Sequence, residues 1–121
     1  MTISILICDD SNMARKQLKR ILPQGWADNL LLVKNGQEAL DVLCTVKIDL
    51  LFLDLTMPVL DGFSVLKIMQ SEEMNINTIV ISADIQSEAK KMVEAAGALD
   101  FIRKPISEDA LIQVLNKHNL L

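Results

Sequence analysis

Aromatic side chains are nearly absent from this chain, which has no Tyr, one Trp and three Phe. Any core must therefore be built from aliphatics, and half of the 121 residues are apolar, enough for one substantial core. There are only two cysteines, Cys8 and Cys44, at a spacing that fits neither a metal-ligand motif nor a disulfide framework. They are expected to be plain thiols in a reduced compartment. A dense Lys/Arg block is also missing. The net charge is −4, so a concentrated positive face for DNA or RNA is not expected. No apolar run approaches membrane-spanning length. The first one, Ile3 to Cys8, is too short for a signal-peptide core and ends at two aspartates. Membrane insertion is not expected, and the cytoplasm is the expected location.

What the chain does contain is a regular alternation. Short aliphatic runs occur at Ile3–Cys8, Leu30–Val33, Leu50–Leu53, Ile79–Ile81 and Leu99–Ile102. They lack polar alternation, as strands buried on both faces of a parallel sheet do. Between them lie amphipathic patterns. Ala14, Leu18, Ile21 and Leu22 form one apolar stripe, with Lys16, Lys19 and Arg20 largely on the other side. Ala39, Leu43 and Val46 follow a similar period, as do Val65, Leu66 and Met69. Ala89, Met92, Val93 and Ala96 repeat it, with Gly97 placed to close that helix in a left-handed cap. Leu111, Val114, Leu115 and His118 mark a last helix with Ser107 as its N-cap. Asn35-Gly36 would ordinarily signal a β-hairpin, but Gln37-Glu38-Ala39-Leu40 starts a helix, so a strand-to-helix loop is expected there. Five βα units predict an α/β fold with right-handed crossovers and helices on both faces of the sheet.

In such folds the site lies beyond the carboxyl ends of the strands. Asp9-Asp10 follows the first strand, Asp54 the third, Ser82 the fourth and Lys104-Pro105 the fifth. Each has an ordinary reading alone: acids favour a helix N-terminus, Ser82 suits a turn, and Lys104 suits a solvated surface. Together they say more. Three carboxylates at one rim repel one another unless a cation intervenes. Few, hard, water-accessible oxygens suit Mg²⁺, which prefers phosphate as a co-ligand. A nearby lysine adds the positive charge that an incoming phosphoryl group needs.

With these residues the chain resembles the receiver domain of two-component response regulators. The resemblance rests on Asp9-Asp10-Ser11, on Asp54 within Leu-Asp-Leu-Thr-Met-Pro, on Asp61-Gly62, on Ser82-Ala83 and on Lys104-Pro105. It covers essentially all of residues 1–121, read as one receiver domain. It implies a doubly wound, flavodoxin-like (βα)₅ sandwich with a parallel sheet of order 2-1-3-4-5. It implies Asp54 as the phosphoacceptor, taking its group from a histidine kinase or histidine phosphotransfer protein. Asp10, Asp54 and the backbone carbonyl of Thr56 become metal ligands, with Asp9 acting through a metal-bound water. The metal would be Mg²⁺ or Mn²⁺. Lys104 and Ser82 would meet phosphoryl oxygens. Ser82 and Phe101 would form a switch that alters a surface over roughly residues 85–118, read by a downstream protein target.

Some positions refine that picture. Thr56 and Asp84 occupy positions that tune dephosphorylation in the family. Leu55 follows the acceptor, so the lone Trp26 is not next to the site. Arg15, Lys16, Lys19 and Arg20 cluster on the first helix, a solvated face or a docking site for an acidic donor. A haloacid-dehalogenase-like phosphohydrolase would need a second Asp where Thr56 stands, and a cap domain. The intact acid set, Ser82 and Lys104 argue against a degenerate scaffold. The domain is thus expected to phosphorylate and dephosphorylate itself rather than to turn over a separate substrate. It could serve as a single-domain regulator with chemotaxis-like leanings, as a relay or phosphate sink, or as the amino-terminal receiver of a longer protein.

Overall fold

Aliphatic side chains on alternate residues of each strand point to opposite faces, and the sheet uses both. The computed structural model describes residues 3–83 and 87–121. Its strands are β1 (Ser4–Cys8), β2 (Asn29–Val33), β3 (Leu50–Asp54), β4 (Asn77–Ser82) and β5 (Asp100–Arg103). All neighbours pair in parallel, in the order β2-β1-β3-β4-β5. The helices are α1 (Asn12–Ile21), α2 (Gly36–Thr45), α3 (Gly62–Ser71), α4 (Ser87–Ala95) and α5 (Glu108–Lys117). The expected fold class and strand order are both present.

The period of two divides the core. Leu6, Cys8, Leu51, Leu53 and Val80 pack on one face with Leu40, Val65, Leu66 and Val93 of α2, α3 and α4. Ile5, Ile7, Leu50, Phe52, Ile79, Ile81 and Ile102 pack on the other with Leu18 of α1 and Leu111 and Leu115 of α5. All five positions of β3 are buried, as befits the central strand. That double burial is why no polar alternation marks the runs.

Strand bounds differ from the aliphatic runs because backbone pairing, not side-chain polarity, sets them. β4 extends from Ile79–Ile81 to Asn77 and Ser82, since its ladder follows β3 from Leu50 to Asp54. β5 lies one residue later than Leu99–Ile102, as Leu99 donates its N–H to the Thr78 carbonyl before regular pairing starts.

Among the described residues, four helices start with a side chain accepting from the amide three residues on: Ser11 from Ala14, Asn35 from Glu38, Asp61 from Ser64 and Ser107 from Ala110. Each such cap is worth about 1 kcal/mol. Asn35 thus closes no hairpin. Its side chain caps α2, while Glu38 reaches back past the cap to accept from the Lys34 N–H at 3.1 Å. Gly97 closes α4 at φ 101°, as its place in the sequence predicts. His118 caps α5 rather than continuing its stripe, and pairs with Asp100 of β5 at 2.7 Å. Among the described residues, no helix is long and apolar enough to cross a membrane.

Candidate metal and phosphoryl site

The chain reverses direction across the sheet between β1 and β3, its neighbours in space, and the carboxyl ends of those strands open the crevice where such folds bind ligands. The register shows how the side chains arrive there. Cys8 pairs with Leu53, so Asp9 and Asp54 each stand one residue beyond that rung. Asp54 pairs with Ile81, one residue before Ser82, and Ser82 pairs with Arg103, one residue before Lys104. Backbone bonds continue the ladder past the strands, from Asp9 N–H to the Val33 carbonyl at 3.1 Å and from Lys104 N–H to the Ser82 carbonyl at 2.9 Å.

Asp9, Asp54 and Ser82 are buried while Asp10 is exposed. Ligand oxygens of Asp9, Asp10 and Asp54 all lie within 4.8 Å of one another. Lys104 bridges two of them, with Nζ 2.7 Å from Asp9 Oδ2 and 3.3 Å from Asp54 Oδ1. Three carboxylates less one ammonium leave two negative charges, the amount a divalent cation balances. The donors are all hard oxygens with one open side, which suits a small dication that keeps part of its water. The residues present therefore fit such an ion.

Burial raises the proton affinity of Asp54, the Asp9 charge raises it further, and Lys104 only partly offsets them. For Lys104, burial alone would lower the pKa. The hydrogen bond to Asp9 and the charges of Asp54 and Asp9 overcome this and hold the pKa above its ordinary value. Lys104 is thus held in its charged form, and its ammonium draws together carboxylates that otherwise repel.

Of the expected residues, Asp9, Asp10, Asp54 and Lys104 come together, with Ser82 at the adjacent strand end. Asp61, quoted in the motif, caps α3 rather than entering the acid cluster, accepting from the Ser64 N–H at 2.7 Å. Thr56 lies in the loop after β3 and is exposed. Phe101 is partly buried against the face that carries Val80 and Val93. Asp84, and the first part of the surface expected at 85–118, lie outside the described residues. Arg15 leaves the basic cluster assigned to α1: its Nη1 donates to the Asp9 carbonyl at 2.6 Å, bracing the β1–α1 turn. Lys16, Lys19 and Arg20 stay exposed. Spacing along α1 could not separate Arg15 from them, since its role depends on a backbone carbonyl six residues back.

Cys8 is buried beside this site, where burial and then the Asp9 and Asp54 charges push its thiol up to about 12. It donates to the Asn35 carbonyl and touches Met57 Sδ at 3.4 Å, a packed thiol as expected. Cys44 is free and exposed. Trp26 packs before β2, at the opposite edge of the sheet, and its Nε1 donates to the Leu120 carbonyl at 3.0 Å. Beside Lys104, a cleft of about 430 Å³ opens between α1 and the loop after β5, lined in part by Met13, Gln17, Leu18, Ile81, Pro105 and Ile106.

Known proteins are similar to this chain over most of its length. The family model for the response regulator receiver domain matches residues 5–116. The chain is 33% identical over 115 residues to the chemotaxis protein CheY of Thermotoga maritima, covering 93% of this chain and 94% of that protein. It is 32% identical over 117 residues to CheY of Bacillus subtilis, covering 97% and 98% respectively. Among solved structures, the CheX-CheY-BeF₃-Mg²⁺ complex of Borrelia burgdorferi matches with a TM-score of 0.87 and 30% identity, covering 98% of this chain and 90% of that one. The order of the strands, the acids at their carboxyl ends and these matches agree: the chain belongs to the response regulator receiver domain family.

Proposed function

We propose that Asp54 accepts a phosphoryl group in a Mg²⁺-dependent reaction, with a histidine kinase or histidine phosphotransfer protein as donor. The observation that carries this is the placement of a buried Asp54 within one cluster with Asp9, Asp10 and the Lys104 ammonium. Asp10, Asp54 and the Thr56 carbonyl would hold the ion directly, and Asp9 through a water. Mn²⁺, which has the same oxygen preference, would serve in its place. Bound there, the ion supplies positive charge against the phosphoryl oxygens.

The protein's own groups do the rest. An Asp54 carboxylate oxygen attacks phosphorus, forming the O–P bond as the P–N bond to the donor imidazole breaks and the nitrogen keeps the electron pair. Lys104, released from its carboxylates by the new charge, pairs with one phosphoryl oxygen, and the Ser82 hydroxyl donates to another. Water later attacks phosphorus, the P–O bond to Asp54 breaks with the oxygen keeping its electron pair, and inorganic phosphate leaves, which restores the carboxylate. The domain therefore catalyses its own modification and its reversal. By their sequence positions, two residues beyond Asp54 and Ser82, Thr56 and Asp84 would tune that reversal.

The phosphoryl charge draws Ser82, and the state of Phe101 on neighbouring β5 follows, since Val80 of β4 pairs with Phe101. A downstream protein reads the changed surface of α4, β5 and α5. The shift extends only as far as the phosphoryl group favours one state over the other. The near-complete overlap with CheY proteins supports a chemotaxis-like regulator, with residues 1–121 working as one receiver unit in the cytoplasm. The donor fits the cleft between α1 and the β5–α5 loop, which opens beside Lys104. The exposed Lys16, Lys19 and Arg20 steer an acidic one.

Intact mass after incubation with acetyl phosphate tests the reading. A phosphate adduct is expected with Mg²⁺, none with chelator, and none for Asp54→Asn under either condition. Equal labelling of Asp54→Asn, or labelling indifferent to the metal, would overturn it.

A further inference from the structure

The loop from residue 55 to residue 61, which contains Thr56, is strapped to the fold at both ends by contacts that leave no room for a side chain. At its far end, Gly62 N–H donates to the Leu55 carbonyl at 3.0 Å, and a Cβ on Gly62 would run into the Asp54 carbonyl. On the other side, the N–H of Gly36 at the start of α2 donates to the Leu60 carbonyl at 3.1 Å. A Cβ on Gly36 would strike that same oxygen and come within 2.7 Å of Val65 Cγ2.

The loop bends sharply to make this contact. Leu60 N–H donates to the Pro58 carbonyl at 2.7 Å, and Val59 between them has φ 68°. A bond from residue i+2 back to residue i, around a centre of positive φ, is a γ-turn of the rare and strained kind. A β-branched residue in the left-handed region costs about 1–2 kcal/mol, so the turn is held by what surrounds it. Met57, buried against Cys8, anchors the first half of the loop. The Leu60–Gly36 bond anchors the second.

We propose that Gly36 is a positioning residue for the metal: by admitting the Leu60 carbonyl to the first turn of α2, it fixes the loop that supplies the Thr56 carbonyl. The inference rests on the metal reading above. Gly36 touches neither ion nor phosphoryl group. It acts through the three residues of backbone between Leu60 and Thr56, where a displacement of a few tenths of an ångström matters, because Mg²⁺ demands near-ideal octahedral distances.

The test is Mg²⁺ affinity of the full chain, measured by titration calorimetry on Gly36→Ala beside Gly97→Ala. Gly97, at φ 101° with nothing within 4 Å of an added Cβ, loses stability on substitution but lies away from the loop. Gly97→Ala is expected to lower the urea midpoint and to keep the Mg²⁺ dissociation constant within about twofold. Gly36→Ala is expected to weaken it roughly tenfold or more, with acetyl phosphate labelling recovering as Mg²⁺ is raised. Loss of affinity no greater than in Gly97→Ala would overturn the inference.

If Gly36→Ala does not fold, Val59→Pro decides. Val59 is 79% exposed and proline cannot take its positive φ, so this change moves Leu60 off Gly36 without adding volume to the core. A similar loss of Mg²⁺ affinity is expected, and unchanged affinity would overturn the inference. Wild-type protein that binds no Mg²⁺ would overturn the metal reading and this inference with it. Wild-type binding fully shared by the variants would overturn the inference alone.

Discussion

At Asp54 the carboxylate is held out of water beside Asp9, and both effects raise its proton affinity, burial more than the neighbour. The consequence for stability has a definite sign. A carboxyl whose folded-state pKa lies above its unfolded value binds protons more tightly when folded, so stability falls as pH rises through that window. At neutral pH the ionised Asp54 therefore destabilises the metal-free protein. Asp54→Asn, of the same shape and without the charge, is expected to raise stability in EDTA by roughly 1 kcal/mol, the scale common when a strained functional group is removed. Urea denaturation at pH 7 measures this. The advantage should vanish below about pH 4, where the wild-type carboxyl is neutral in both states. Wild-type protein more stable than Asp54→Asn in EDTA would contradict the account. Most of these residues were legible beforehand, because Asp9, Asp10, Asp54, Ser82 and Lys104 each follow an aliphatic run. Arg15 and Gly36 were not. Arg15 works through a backbone carbonyl that only folding brings near, and Gly36 works through contacts with Leu60 and Val65, residues far along the chain.

Among the elements, β5 and α5 are joined by a polar clamp. Asp100 Oδ2 lies 2.7 Å from His118 Nε2 and 3.6 Å from Lys117 Nζ, while Asp100 Oδ1 accepts from the Phe101 N–H at 2.7 Å. Burial alone would raise the Asp100 pKa, but these partners overcome it and hold the carboxyl below its ordinary value. The sign is now the reverse of that at Asp54. Stability from Asp100 is fully present above its unfolded value, about pH 4, and is lost as pH falls through the folded-state value. Asp100→Asn is expected to be less stable than wild type at pH 7 by up to about 1 kcal/mol, a discounted figure for a pair partly open to solvent. The gap should close as the pH is lowered from 4, as urea midpoints over a pH series would show. A gap that persists unchanged at low pH would mean that the carboxylate charge is not what joins the elements. Periodicity placed all ten elements in the chain, yet His118 read as part of an apolar stripe, because its position fits the period while its partner lies in another element. Strand ends moved by a residue or two for the same reason: β4 and β5 stop where their neighbours' ladders stop.

Across the whole molecule, the sheet separates two jobs. Its faces bury aliphatic layers against α1 and α5 on one side and against α2, α3 and α4 on the other. Its carboxyl-terminal rim gathers the charged groups that such a core excludes. This division was readable in outline, since doubly buried strands leave continuous aliphatic runs and a doubly wound sheet has one rim where acids can meet. The packing of the loop after β3 onto α2 was not, because it depends on a γ-turn that no residue type in Thr-Met-Pro-Val-Leu signals. Val59 is among the least expected residues for a positive φ. The central claim is that this rim directs a phosphoryl group to Asp54. Its most direct test is to label the protein with acetyl phosphate and Mg²⁺, reduce it with borohydride, which converts an aspartyl phosphate to homoserine, and map the peptides by mass. The account predicts homoserine at position 54 alone. Homoserine at position 9 or 10, or a phosphate that survives reduction on another residue, would contradict it.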